Sequence, residues 1–408
     1  HLPATSLANR ACEDYRASGG SIVESLEALT HAELIVDALF GIGLSRAPDA
    51  ATTTLIEAMD AQPAPILALD VPSGINARTG YRAGAAVTAT RTLQFIAAHR
   101  GLSTGDALEH VGDAELATLD LPISVHGGVE GSARAWTADA LQTFLPLRTR
   151  NTYKGRNGHV LCIGGDHSGG GAVLLSAEAA LRCGAGLVSV ATRAPHVPAL
   201  LAHRPEVMAH AVESAEELTA LLVRADVIAI GPGLGQTAWG RNLFNAVMGC
   251  DKLRVLDADA LNLLVQFPGK LRPWDVLTPH PGEAARLLGC ETREVQRDRF
   301  AAAKALCERF GAQVVLKGAG TICAAPNARP VVLQAGNPGM AVGGMGDLLT
   351  GCVASFLAQG LAPTDAAVTG ALLHAAAGDA AAREDGERGL LPSDLLPWLR
   401  RLANPVRR

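Results

Sequence analysis

The chain has 408 residues, room for two or three domains at roughly 150 residues each, and its 48% hydrophobic and 18% charged residues exclude a disordered polypeptide. Residues 1–148 carry 9 Arg and no Lys against 17 acids, a net −8, and residues 149–408 carry 26 basic residues against 23 acids, a net +3. Neither part is basic enough for a nucleic-acid footprint, and no uncharged apolar run reaches the ~18 residues of a membrane span.

Taken in chain order, apolar runs predict strands at 34–38, 66–70, 92–96, 159–163, 187–191, 226–230, 253–256, 275–278 and 313–317. Most lack period-2 alternation, as expected of strands buried on both faces. Ala-rich helical stretches alternate with them, a pattern of parallel α/β sheets. The segment 121–131, LPISVHGGVEG, breaks the pattern with a Pro and three Gly. It places a domain boundary between 132 and 133. After Asp347, apolar residues at Leu348, Leu349, Cys352, Val353, Phe356 and Leu357 share one face of a helix over 348–359. No two of the eight cysteines have CxxC spacing, so they read as reduced, buried cytosolic thiols. The chain opens on His1, and its natural start is expected to lie upstream. No signal peptide is visible, so the expected setting is cytoplasmic.

Two carboxylates in the first part, Asp37 and Asp70, sit at strand ends and lead into Gly-containing loops. Ligands of open parallel sheets bind beyond the carboxyl ends of strands. There an Asp can hold a cation or move a proton; equally, it can cap a helix or close a turn.

Signals are denser in the second part. A Gly-rich loop follows the strand at 159–163 and runs into a helix through Gly171 and Ala172. Gly231-Pro-Gly-Leu-Gly235 suits a nucleotide or a tight packing turn. Prolines on both sides fix His280 in Thr278-Pro-His-Pro-Gly-Glu283, where Glu283 can act on a ligand or cap the next helix. Lys317-Gly-Ala-Gly-Thr321 ends a strand with a cation and two glycines, fit for a phosphate or ribose, or for a solvated hairpin turn. The strongest pattern is Gly336-Asn-Pro-Gly-Met-Ala-Val-Gly343-Gly344-Met-Gly346-Asp347. Gly343, Gly344 and Gly346 expose backbone amides at a helix N-terminus that favours anions. Asp347 either caps that helix or takes a proton from a hydroxyl during phosphoryl transfer. No GxxxxGK[ST] is present, so this is not a Walker loop.

These motifs resemble the bifunctional NAD(P)H-hydrate repair enzymes, in which an NAD(P)H-hydrate epimerase is fused to an ADP-dependent dehydratase. KGxxGHV at 154–160, GPGLG at 231–235, HPGE at 280–283, KGAGT at 317–321 and NPGMAxGGxGDxLTG at 337–351 resemble the dehydratase. DALFGIGL at 37–44, LDVPSGINARTG at 69–80 and AHRGLSTGDALEHVG at 98–112 resemble the later part of the epimerase. The resemblance implies a ribokinase-like three-layer αβα domain over 133–408, preceded by a partial Rossmann-like αβα domain over 1–132. It also implies the substrates, hydrated NADH and NADPH.

By the same resemblance, Asp347 abstracts the substrate hydroxyl proton, and Ala172, Gly235 and His280 contact the hydrate. Lys317, Gly318, Ala319, Gly320 and Thr321, with Gly343, Gly344 and Gly346, hold ADP, which brings Mg2+. In the first domain Asp37 and Ser73 hold K+. Gly41, Ile42, Gly43, Leu44, Ser45, Arg46, Ala47 and Asp70 bind the hydrate, with Asp70 the acid–base group. The family's opening Asn-Asn-Gly-Gly-Asp-Gly loop does not precede His1. A homo-oligomer is expected, with no nucleic-acid or membrane partner. The alternative is an alcohol kinase of the same fold whose first domain is a non-catalytic ligand-binding or assembly module.

Overall fold

The computed structural model describes residues 5–23, 25–122, 124, 129–145 and 147–404. Its contacts divide into two compact units.

The first unit holds a four-stranded parallel sheet in the order β1 (Ile35–Asp37), β2 (Ile66–Leu69), β3 (Arg91–Phe95) and β4 (Asp113–Ala117). The helix Ala50–Asp60 starts at Asp49, whose carboxylate accepts the Thr52 amide at 2.9 Å. Its residues Ile56 and Met59 share a face and pack with Ile35, Ile66 and Val87 into a small core. β4 is absent from the apolar-run prediction because it is an exposed strand carrying Asp113 and Glu115. Its register is set by backbone pairing with β3 and an Arg91–Glu115 ion pair of 3.0 Å.

The second unit holds a ten-stranded sheet. In chain order its strands are β5 (Arg134–Trp136), β6 (His159–Ile163), β7 (Leu187–Thr192), β8 (Met208–Ala211), β9 (Val227–Ile230), β10 (Leu253–Leu256), β11 (Val276–Leu277), β12 (Gln313–Leu316), β13 (Ile322–Ala324) and β14 (Val331–Leu333). The spatial order is β5-β14-β13-β12-β11-β10-β9-β6-β7-β8. Pairing is parallel except for β12–β13 and β13–β14. Successive residues point to opposite faces. Val160, Cys162, Val227 and Ala229 join a core built with helices Gly170–Arg182, Met345–Ala358 and Pro363–Asp385. Leu161, Ile163, Ile228 and Ile230 join a core built with helices Ala238–Gly249, Ala258–Gln266 and Arg299–Phe310. Two buried faces make this a three-layer αβα unit, and they explain why its central strands read as unbroken apolar runs.

All nine predicted strands are present, with ends shifted by a residue or two. Asp70 and Ile96 fall outside their strands, because both have left-handed backbone, φ 71° and 68°. The predicted helix after Asp347 begins earlier, at Met345, so Asp347 lies within its first turn.

The units do not divide at 132/133. Residues from Asp120 onward pack with the second unit, and so do Asn76–Tyr81 and His99–Leu108. These two turns find their backbone partners there: Gly105 N donates to Ala319 O at 3.1 Å. Of the 121–131 break, Ile123 and residues 125–128 lie outside the described residues.

Candidate active site

The helix Met345–Ala358 starts at Gly344, whose φ of 95° turns the chain sharply into the helix, and no side chain caps it. The amides of Met345, Gly346 and Asp347 head the helix and have no partner within it. The cap reading of Asp347 therefore fails: its carboxyl lies inside the turn and makes no capping bond. Burial first, and then the Asp257 carboxylate, push its pKa up from 3.8 to about 7, against the opposing pull of Lys317. A carboxyl poised there can accept a proton near neutral pH.

Lys317 follows β12 and Asp257 follows β10, at the carboxyl ends of parallel strands flanking β11. The Lys317 ammonium donates to Asp257 Oδ1 at 2.6 Å and lies 3.6 Å from Glu283 Oε2. Burial pushes the ammonium down in pKa, but the two carboxylates outweigh it and hold Lys317 above its usual value. Thr350, one helical turn beyond Gly346, donates to Asp257 Oδ2 at 3.0 Å. A Cβ on Gly346 would lie 3.2 Å from Lys317 Nζ and 3.5 Å from Asp257 Oδ2. The helix start and the ion pair thus meet at a spot without a side chain between them.

Sequence reading missed Asp257 and Asp259. Both belong to a Leu-Asp-Ala-Asp-Ala stretch after β10, and the strand-end rule used for Asp37 and Asp70 would have found Asp257. Asp259 accepts the Gly235 amide at 2.9 Å, which ties the GPGLG turn to this group. Two of that turn's glycines have a packing cause. A Cβ on Gly231 would fall 1.8 Å from Asp257 O, and one on Gly233 2.5 Å from Gly169 O.

Glu283 does cap its helix. It accepts the His280 amide at 2.7 Å while His280 Nδ1 accepts the Gly282 amide at 3.0 Å. Its second role, on Lys317, coexists with that cap. The His280 ring is half-exposed, and burial of its inner side lowers its pKa. Ala172 lies in the first turn of helix Gly170–Arg182, whose Ser176 donates to Asp347 O at 2.7 Å.

In the first unit, Asp37 ends β1 and Ser73 follows β2. Ser73 donates to Asp37 twice, from its hydroxyl at 2.6 Å and its amide at 2.7 Å, and its hydroxyl oxygen accepts the Phe40 amide at 2.9 Å. Asp37 is 1% exposed, and burial raises its pKa. Carboxylate and hydroxyl oxygens are the hard donors an alkali cation takes, and a cation there would offset the buried charge. Asp70 lies over the next loop, its Oδ2 3.0 Å from where a Gly41 Cβ would sit. Residues 42–47 continue as a mostly exposed loop, with Ile42 66% exposed.

Residues 160–401 match the family described as NAD(P)H-hydrate dehydratase, and residues 2–101 match the YjeF-related protein N-terminus. The chain is 48% identical to the bifunctional NAD(P)H-hydrate repair enzyme Nnr of Coxiella burnetii, over 98% of this chain and 82% of that protein. It is 46% identical to the Escherichia coli protein of the same name, over 91% of this chain and 72% of that one. Among solved structures it resembles the ADP/ATP-dependent NAD(P)H-hydrate dehydratase of Bacillus subtilis, co-crystallized with ATP/Mg2+. That likeness has a TM-score of 0.59 at 30% identity, covering 66% of this chain and 97% of the other. A ribokinase-like superfamily protein of Enterococcus faecalis gives a TM-score of 0.62 at 31% identity, covering 67% and 96%. The second unit has the ribokinase-like fold.

Proposed function

The chain belongs to the family of bifunctional NAD(P)H-hydrate repair enzymes, and from that membership we propose how its residues divide the work. The second unit dehydrates the S form of hydrated NADH or NADPH with ADP as phosphoryl donor. The first unit interconverts the R and S hydrates. The relatives are repair enzymes over nearly the whole chain, which favours this reading over an alcohol kinase.

The observation that carries the dehydratase reading is the Asp347 carboxyl, held near neutral pKa in the first turn of a helix whose start has no side-chain cap among the described residues. The substrate's hydroxyl, on C6 of the nicotinamide ring, is a poor leaving group. Transfer of the β-phosphoryl group of ADP makes it a phosphate ester and releases AMP. Loss of phosphate and a ring proton then restores the dihydropyridine. Asp347 takes the hydroxyl proton as the oxygen attacks phosphorus. The Gly346 and Asp347 amides stabilise charge on the transferring group. Lys317 to Thr321, with Gly343 and Gly344, hold the nucleotide, while Ala172, Gly235 and His280 line the hydrate.

Among the described residues no three His, Cys, Asp or Glu side chains converge as a metal cage. Mg2+ brought in with ADP would offset charge on the phosphates. In the first unit K+ fits Asp37 and Ser73 and would keep the buried carboxylate ionised. Asp70 serves as the acid–base group for epimerisation at C6, beside the loop of Gly41, Ile42, Gly43, Leu44, Ser45, Arg46 and Ala47. We place the reaction in the cytoplasm, where the eight free cysteines stay reduced, and carry it on a homo-oligomer. The test is incubation with each hydrate epimer and ADP or ATP, following dihydronicotinamide absorbance. Recovery of NADH with release of AMP is expected; a stable phosphorylated alcohol as the end product would replace this reading with the kinase.

A further inference from the structure

The Lys317–Thr321 loop is backed by residues that stand more than 190 positions earlier in the chain. The stretch His99–Leu108 packs with the second unit. The Thr104 side chain within it is fully buried, and its hydroxyl donates to Gly320 O at 2.8 Å and Ala319 O at 3.0 Å. The Gly105 amide adds a bond to Ala319 O at 3.1 Å. Arg299, 1% exposed at the start of helix Arg299–Phe310, closes the arrangement. Its Nε donates to Thr104 Oγ1 at 2.9 Å, and its Nη2 donates to Lys317 O at 3.1 Å and Leu316 O at 3.4 Å.

This backing accounts for the two glycines of the loop. A Cβ on Gly320 would fall 2.0 Å from Ser103 O and 2.7 Å from Thr104 Cα. A Cβ on Gly318 would lie 3.0 Å from Arg299 Nη1. Both glycines have left-handed backbone, φ 62° and 124°. Their smallness serves contact with the residues behind the loop, whatever lies in front of it. The backing stretch is itself held from below. Gly101 N donates to Ala77 O and Ala107 N to Gly80 O, both at 2.9 Å, and the Arg100 guanidinium lies 4.5 Å above the Phe300 ring.

We infer that Thr104 and Arg299 are positioning residues for the adenine nucleotide: through the carbonyls of Lys317, Ala319 and Gly320 they hold the nucleotide loop in its binding shape. The inference rests on the reading of Lys317–Thr321 as the nucleotide loop. Physically, Arg299 is a buried cation that meets only carbonyls, an amide oxygen and a hydroxyl among the described residues. Removing the Thr104 hydroxyl leaves a buried guanidinium N–H without its acceptor and the Gly320 carbonyl without its donor, while Ala319 O keeps only the Gly105 amide. Such groups seek new partners by moving backbone. A shift of a fraction of an ångström in a binding loop is enough to weaken a ligand.

The experiment uses the full chain with ADP as probe, measuring ADP affinity by calorimetry and steady-state kinetics for wild type, Thr104→Val, Thr104→Ser and Arg299→Lys. In Thr104→Val, ADP affinity should fall about tenfold and KM for ADP should rise in step, as for a loop left with unpaired buried groups. KM for the hydrate and kcat at saturating ADP should stay within about threefold, a split expected when only one binding loop is disturbed. Thr104→Ser keeps the hydroxyl and should restore wild-type behaviour. If Thr104→Val does not fold, Arg299→Lys is decisive: it keeps the charge but loses the fork that spans Thr104 and the carbonyls, and the same ADP-selective loss is expected. Unchanged ADP affinity in Thr104→Val overturns the inference. So does a loss spread equally over ADP, hydrate and kcat, a serine variant that fails to rescue, or loss of fold in both test variants. Failure of the wild-type chain to bind ADP would instead strike the nucleotide-loop reading, and the inference with it.

Discussion

Lys317 and Asp257 stand 60 positions apart in the chain and form an ion pair of 2.6 Å across the carboxyl ends of two strands that do not neighbour each other. Glu283, from the helix after the intervening strand, approaches the same ammonium at 3.6 Å. Three consecutive parallel strands thus each send one charge to a single point beside the start of helix Met345–Ala358. The positive member can face a nucleotide phosphate, while the negative members keep it ionised and raise the affinity of Asp347 for a proton.

Asp347→Asn should lower turnover by roughly 10²–10⁴, the usual worth of a positioned base, while ADP still binds. Retention of more than about a third of wild-type turnover would remove Asp347 from the chemistry.

The raised Asp347 pKa has two pH consequences with definite signs. Activity needs the ionised carboxylate, so kcat/KM should climb through an apparent pKa near 7. Stability runs the other way. A carboxyl raised from 3.8 to about 7 on folding contributes stability below pH ~4 that is lost as pH rises to about 7. Asp347→Asn should therefore be more stable than wild type at pH 8, by on the order of 1–3 kcal/mol, with the difference shrinking toward pH 4. Urea melts at both pH values check this; a constant difference would show that the carboxyl is not perturbed by folding.

Asp257→Asn and Lys317→Met should move the activity limb in opposite directions. Asp257 raises the Asp347 pKa and Lys317 lowers it, so the limb shifts to lower pH in the first variant and to higher pH in the second. Both should also lose stability, by about 3–5 kcal/mol, because each breaks one side of a largely buried ion pair. Parallel shifts in one direction would mean that the pair acts on Asp347 through structure, not charge.

Gly344→Ala and Gly346→Ala should separate shape from chemistry. Gly344 has a φ of 95°, and a Cβ there would lie 2.9 Å from Leu175 Cδ1 and from Pro392 Cγ, so this variant should lose about 1–3 kcal/mol of stability. Gly346 is helical, and Ala suits a helix better than Gly by up to ~1 kcal/mol. That variant should stay within about 1 kcal/mol of wild-type stability, the helix gain set against the 3.2 Å approach of its Cβ to Lys317 Nζ, yet turn over at least tenfold more slowly, since the methyl enters the space beside Lys317 and the helix amides. Normal turnover in Gly346→Ala would show that the space is not the site of transfer.

Potassium should raise the melting temperature of the first unit's transition in wild type and fail to do so in Asp37→Asn. The Asp37 carboxylate is buried, and its only charged neighbour among the causes of its raised pKa is the like-charged Asp60, so a bound cation offsets a real cost. An equal potassium response in both proteins would place the cation elsewhere.

A protein beginning at residue 133 should fold, because about 275 residues can bury a full αβα core. It lacks Asn76–Tyr81 and His99–Leu108, however, and with them the backing of Ala319 and Gly320. Its ADP affinity should fall below that of the full chain. Equal affinity would show that the loop holds its shape unaided.

Much of this was legible before folding was considered. Central strands of a sheet covered on both faces must be apolar throughout, so β6, β7, β9, β10 and β12 appear as runs in the sequence. The glycine-rich helix start ending in Asp347 is likewise local, because an anion site at a helix N-terminus is made of consecutive backbone amides. Exposed or half-buried strands such as β4, β5 and β8 leave no such trace: a strand without an apolar run is defined by its hydrogen-bonding neighbour, which composition does not name.

Fold class, family motifs and the residue types able to move a proton or hold an anion are thus written in the amino-acid order, since each depends on side-chain character or on neighbours in the chain. Which charges meet is a matter of folding. Asp257 was one acid among 40 acidic residues until the strand order brought it to Lys317. Thr104, placed by its sequence in the first domain, became part of the second unit because its hydroxyl and the Gly105 amide pair with carbonyls more than 200 residues away. Pairings of that kind depend on strand order and loop path, and these are settled by burial and hydrogen bonding over the whole chain.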